Sequence, residues 1–218
     1  MIAAARSISP TLPADWLTRL RAALWPAPDH RLEQSRVGTR LAAVLPDGLP
    51  ESIADAAVLV PIVLHAGVAS LLLTVRSSQL RSHAGQISFP GGRLEPTDID
   101  PAAAALRETQ EEIGIDPADI ELLGFLSDQI IRSGYRITPV VGLLRPGFTL
   151  RVDAAEVAEV FELPLAFALS ESNYRSRPGR ARGLEFEIWE LPFGERLIWG
   201  ATAGILANLR ELLSEEQA

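Results

Sequence analysis

The stretch from Asp100 to Gly114, DPAAAALRETQEEIG, constrains this chain more than any other, because both ends and both faces of one helix are written in it. Asp100 is a good N-cap, and Pro101 suits the first helical position, where its missing N–H costs nothing. Gly114 stands where a left-handed residue closes a helix. At the helical repeat Glu108, Glu111 and Glu112 fall within about 100° of one another, while Ala102, Leu106 and Ile113 lie on the opposite side. One face docks on a core and the other gathers three carboxylates. Like charges at i,i+3 and i,i+4 each cost an isolated helix roughly 0.2–0.5 kcal/mol. A hard divalent cation, which takes carboxylate oxygens, would relieve that repulsion. An arbitrary E-x-x-E-E also serves as a plain solvated face. Here Arg107 stands at i,i+4 from Glu111, so it can pair with that residue and fix its rotamer, which favours a site.

Upstream, Phe89-Pro90-Gly91-Gly92 reads as the end of a strand and a turn open enough for backbone to approach a ligand. The run from Gly92 to Ile115 resembles the signature box of the Nudix hydrolases, G-x5-E-x7-R-E-U-x-E-E-x-G-U with U aliphatic. Gly92, Arg107, Glu108, Glu111, Glu112, Gly114 and Ile115 match, and Thr109 takes the first aliphatic place. Asp98 stands where the first Glu belongs, and eight residues rather than seven separate it from Arg107. A longer loop with Asp is similar to what the coenzyme A diphosphatase branch carries. Leu72 to Gly92, LLTVRSSQLRSHAGQISFPGG, resembles that branch's extra signature, L-L-T-x-R-S-x3-R-x3-G-x3-F-P-G-G. Ile198-Trp199-Gly200-Ala201-Thr202-Ala203 is similar to a segment common in the same branch.

The resemblance implies an α/β/α sandwich with a mixed β-sheet between helices. It also implies metal-dependent hydrolysis of coenzyme A or its thioesters to 3′,5′-ADP and 4′-phosphopantetheine or its acyl form, with Mg²⁺ or Mn²⁺ as cofactor. Attack by water at a diphosphate needs the phosphate charge neutralised, and carboxylate-held metal does this while acidifying a bound water. The expected ligands are Glu108, Glu111 and Glu112, with the Gly92 carbonyl added by resemblance. Arg107 completes the catalytic set. Glu156 and Glu159, in DAAEVAEVF, stand beside the box glutamates as candidate general bases, or are solvated acids. Arg76 and Arg81, with Gly91 and Gly92, are the expected substrate contacts. The two arginines either clamp phosphate or pair with box acids such as Glu95 or Asp98. Two other readings stay open: a hydrolase of another nucleoside diphosphate derivative such as ADP-ribose, and a non-catalytic nucleotide sensor.

The net charge of −8 argues against nucleic acid or an anionic membrane as partner; a small-molecule nucleotide is the partner the resemblance implies. The resemblance is also compatible with a homodimer. The absence of cysteine excludes a disulfide framework and a thiol nucleophile. No apolar run approaches the ~18 residues of a spanning helix, and the chain ends Glu-Gln-Ala, so cytoplasm is the expected compartment. Residues 1–40 are read as an N-terminal extension with a short helix at 15–24, and 41–218 as a single Nudix domain. Strands are expected at 57–65 and 68–75 (a hairpin), 120–126, 137–144, 157–163 and 184–188, with a closing helix at 205–213. Tyr174 to Arg182, YRSRPGRAR, is the one basic cluster, either a solvated loop or one that meets the 3′-phosphate of coenzyme A. Trp199 is read as core packing or a lid wall, with base stacking the alternative.

Overall fold

A computed structural model describes residues 12–28, 53–66, 68–80, 82–131, 134–145, 147–181 and 184–214, with backbone alone at 179–181 and 184–187. Arg81 and most of residues 1–40 therefore lie outside the described residues. The chain begins with α1 (Trp16–Ala23), β1 (Ala54–His65), β2 (Val68–Arg76), β3 (Ile87–Ser88), β4 (Gly91–Arg93) and α2 (Pro101–Ile113). It continues with β5 (Ile120–Phe125), β6 (Gln129–Ile131), β7 (Tyr135–Leu144), β8 (Val157–Pro164) and α3 (Leu165–Leu169). It closes with β9 (Arg175–Ala181), β10 (Leu184–Phe193), β11 (Arg196–Trp199) and α4 (Ala201–Ser214).

The large sheet runs β3-β2-β1-β7-β5, with β4 on β1, β6 on β7 and β8 on β2. The β1–β7 ladder is parallel and the others are antiparallel, so the sheet is mixed. A strand buried on both faces reads as a continuous apolar run, and β1 is such a strand. Its Ala57, Leu59 and Val63 meet Ala102, Ala105 and Ile113 of α2, while Val60 and Ile62 meet Leu206 and Leu209 of α4 in a second core. Helices thus cover both faces, which is the expected sandwich. Leu20 of α1 is fully buried in the α4-side core, and Trp25 bonds Phe125 of β5 through backbone at 3.0 and 2.9 Å. The first helix is thereby built into the core. Among the described residues no helix is long and apolar enough to cross a membrane.

The smaller sheet, β11-β10-β9, corrects two expectations. The strand expected at Leu184–Ile188 continues to Phe193, because β11 pairs with its second half from Glu190 onward. The basic cluster read as a loop is mostly the strand β9, whose residues Arg175 to Ala181 pair along β10. Its Pro and Gly hid that pairing, since they fit an edge strand and β9 is one.

Candidate active site

The ends of α2 form as their residues dictate. Asp100 Oδ1 accepts the Ala103 N–H at 2.8 Å, and Gly114 adopts φ +71° with its N–H on the Gln110 carbonyl. Thr109, in the box's aliphatic place, is fully buried and donates to the Ala105 carbonyl at 2.6 Å, which satisfies its hydroxyl inside the core.

Gly91 and Gly92 do not make the open turn expected of them. They belong to β4, paired with Ala57 and Val58 of β1. Gly91 has φ +149°, and a Cβ there would lie 2.3 Å from the Ala57 carbonyl oxygen. A Cβ on Gly92 would meet the Glu108 carboxylate at 2.5 Å. Glycine is required at the first place by the approach of β1, and at the second it lets the Glu108 carboxylate lie against the backbone.

The three glutamates of α2 have different surroundings, although the helical repeat sets them on one side. Side-chain exposure falls from 58% at Glu111 to 17% at Glu108 and 3% at Glu112. Arg107 is the hub. Its Nε and Nη2 bond both oxygens of Asp98 at 3.1 and 3.0 Å, and Nη1 reaches Glu108 and Glu111, each at 3.0 Å. Nη2 also donates to the Arg93 carbonyl. This bond network holds the Asp98 carboxyl below the usual carboxylate range and raises the already high Arg107. The longer loop therefore ends in a two-pronged clamp, and Asp98 meets the arginine across it.

Glu112 has no such partner. It receives a long contact from the Gly91 N–H at 3.4 Å, and Arg76 Nη1 stands 3.5 Å away. Burial pushes its carboxyl up to about 7, with Arg76 and the Gly91 bond opposing and the charges of Glu108 and Glu156 adding to the rise. Burial likewise raises Glu108, against the bond from Arg107.

Glu156 is pinned beside them by backbone. Arg151 and Asp153 donate N–H to the Ile113 and Glu112 carbonyls at 2.8 and 2.9 Å, closing the C-terminus of α2. The Ser77 N–H bonds the Glu156 carbonyl at 2.8 Å, joining this loop to the end of β2. Nothing in the spacing of DAAEVAEVF distinguishes its two candidate acids. The fold brings Glu156 within electrostatic reach of Glu108 and Glu112, whereas Glu159 is held by Arg196. Arg76 does pair with a box acid, but with Glu112; Asp98 is committed to Arg107. His83 bonds Gln86 at 2.8 Å within the β2–β3 loop and holds φ +58°.

As the side chains lie, no three Asp, Glu or His residues among those described cage a cation. Arg107 draws Glu111 one way while Arg76 stands on Glu112. The donor chemistry nevertheless fits a hard cation. Glu108, Glu112 and Glu156 repel one another, and Glu112 is a buried carboxylate with only long contacts.

Fold and site define an α/β/α domain built around a carboxylate-bearing helix. Residues 55–177 match the NUDIX domain family, and the chain belongs to that family. It is 43% identical over 166 residues to the uncharacterized Nudix hydrolase NudL of Photorhabdus laumondii, across 76% of this chain and 88% of that one. It is 44% identical over 155 residues to NudL of Escherichia coli K12, across 71% and 80%. Among solved structures, a Nudix hydrolase from Alicyclobacillus acidocaldarius matches with TM-score 0.46 and 19% identity over 74% of this chain and 93% of that one. A C. elegans Ap4A hydrolase binary complex matches with TM-score 0.45 and 22% identity over 54% and 84%.

Proposed function

We propose that this chain hydrolyses the diphosphate of coenzyme A or its thioesters, releasing 3′,5′-ADP and 4′-phosphopantetheine or its acyl form. Family membership supports the coarser statement, an enzyme acting on the diphosphate bond of a nucleoside diphosphate derivative. One observation supports the finer reading. Arg76 and Gly91, both in the Leu72–Gly92 signature, converge on Glu112 of the box, so the two motifs share one carboxylate.

Glu108, Glu111 and Glu112, with the Gly92 carbonyl, are the residues to hold Mg²⁺ or Mn²⁺, which when bound would neutralise phosphate charge and acidify a water. Arg107 orients Glu108 and Glu111 and keeps Asp98 ionised beneath them. Arg76 keeps 25% of its side chain in solvent and reaches Glu112 only at 3.5 Å, so its guanidinium retains capacity for a phosphate oxygen. Glu156, near both inner glutamates, is the candidate to accept the proton of the attacking water.

The test is product chromatography with Mg²⁺ or Mn²⁺, offering coenzyme A, acetyl-coenzyme A, ADP-ribose, NADH and a nucleoside triphosphate separately. Release of 3′,5′-ADP from coenzyme A or acetyl-coenzyme A, with the others cut poorly, is the expected result. Preferred cleavage of ADP-ribose retires the coenzyme A reading and keeps the hydrolase. No cleavage of any substrate favours a nucleotide sensor.

A further inference from the structure

The outward face of the β9–β10–β11 sheet carries a constellation that the carboxylate site does not use. The inward face is spent on the core: Leu191 and Ile198 are fully buried, and Trp189 and Phe193 pack beside them. Cross-strand partners share a face, and Glu190 pairs with Arg175 on one side and Trp199 on the other. Arg175, Glu190 and Trp199 therefore stand in a row pointing away from the core, with Arg177 next on the same face.

This row is braced. Glu190 is only 7% exposed, and it accepts Nε–H bonds from Arg175 at 3.1 Å and Arg177 at 2.5 Å. Each guanidinium spends its Nε–H on this carboxylate. Among the described residues their Nη groups have no further partner, and the two side chains are 63% and 51% exposed. Two guanidinia against one carboxylate leave a local positive charge in a chain of net charge −8. Beside them Trp199 leaves 39% of its surface in solvent. An exposed indole stacks on a nucleobase, and paired guanidinia with free forks take a phosphate.

The row is also tied to the carboxylate site. β11 lies against β3, and Thr202, just beyond Trp199, donates its hydroxyl to the Ile87 carbonyl at 3.0 Å. From Ser88 three residues lead to Gly91, at most ~10 Å of extended chain, so the strand that β11 lies against runs on into the glycine strand of the carboxylate site.

We propose that this face is the subsite for the 3′-phosphorylated adenosine end of the substrate. The Trp199 indole stacks on the purine, and the Nη groups of Arg175 and Arg177 hold the 3′-phosphomonoester. The substrate class rests on the coenzyme A reading above; the site itself rests on the sheet register and on two exposed guanidinia whose Nη groups have no partner among the described residues.

The experiment is calorimetric titration of the full chain, without divalent cation, by 3′,5′-ADP and separately by 5′-AMP. Wild type should bind 3′,5′-ADP about 10-fold more tightly, the scale of one or two charge-assisted bonds. Arg175→Gln should erase most of that preference. Arg177→Lys, which keeps a charge facing Glu190 but loses the fork, should reduce it while the thermal melt stays unchanged. Trp199→Leu should weaken both ligands by about 10-fold, because stacking is common to them. Equal binding of the two nucleotides by wild type, no binding of either, or a preference untouched in the folded arginine variants overturns the subsite. Coenzyme A hydrolysis by the same preparation, assayed after Mg²⁺ or Mn²⁺ is added, separates the two readings. A 3′-phosphate preference without hydrolysis keeps the subsite and removes the proposed activity. Hydrolysis with an unchanged preference in the variants does the reverse.

Discussion

Among the described residues two glutamates are buried, and they are treated in opposite ways. Glu190, on the small sheet, receives two guanidinium Nε–H bonds at 3.1 and 2.5 Å. Glu112, under the glycine strand, has a 3.4 Å contact from one N–H and a guanidinium at 3.5 Å. Taking a carboxylate out of water is costly unless its oxygens are bonded, so a carboxylate with a structural task is expected to look like Glu190. Glu112 instead sits among charges of its own sign, with a carboxyl pushed up to about 7. That environment supports the proposed role of Glu112 as a ligand for a hard cation. The contrast separates a carboxylate that stabilises the protein from one that costs it stability.

The largest expected effect comes from removing the strained member. Glu112→Gln changes charge and little volume, and should lower kcat/KM by on the order of 10³ with the circular dichroism spectrum unchanged. Wild-type-like turnover from that variant would remove the metal assignment. Gly92→Ala comes next. Its Cβ would meet the Glu108 carboxylate at 2.5 Å, the far end of a side chain that can move. The fold should tolerate this while the displaced carboxylate lowers kcat by about 10²-fold. A variant with full kcat would mean that the position of Glu108 on the glycine does not matter.

The third effect is on stability. The folded Glu112 carboxyl is raised from 4.5 to about 7, so the folded state holds the proton more tightly than the unfolded chain. Its contribution is fully present below pH 4.5 and is lost as pH rises through about 7. In metal-free buffer at pH 8, Glu112→Gln should therefore gain on the order of 2–3 kcal/mol in urea titration, and the gain should vanish at pH 4. A loss at pH 8 would contradict the strained reading. The smallest effect has the opposite sign. Glu190→Ala should cost about 1–2 kcal/mol, below the usual figure for a broken buried pair because both guanidinia are half in solvent. If removing Glu190 stabilised the protein as removing Glu112 should, the comparison would collapse.

Much of this was legible before any coordinates. Asp100, Pro101 and Gly114 delimit α2 by local chemistry alone, and the hairpin of β1 and β2 follows from two apolar runs meeting at Ala66-Gly67. The clamp of Arg107 on Glu111 follows from i,i+4 spacing. What was not legible depends on partners far along the chain. β4 is three residues, two of them glycine, and becomes a strand only because β1 offers its edge. β9 contains Pro178 and Gly179 and is a strand only beside β10.

The same boundary divides the site. The sequence by itself determined which residues carry charge, where the acidic helix starts and stops, and that its glutamates share one side. Those are matters of residue type and a repeat of a few residues. Only the tertiary structure decided that Glu112 lies buried beneath Gly91, that Glu111 stays in water, and that Glu156 rather than Glu159 joins them. It alone also set Arg175, Glu190 and Trp199 in one row. Desolvation and cross-strand register are set by what packs against a residue, and those neighbours come from elsewhere in the chain.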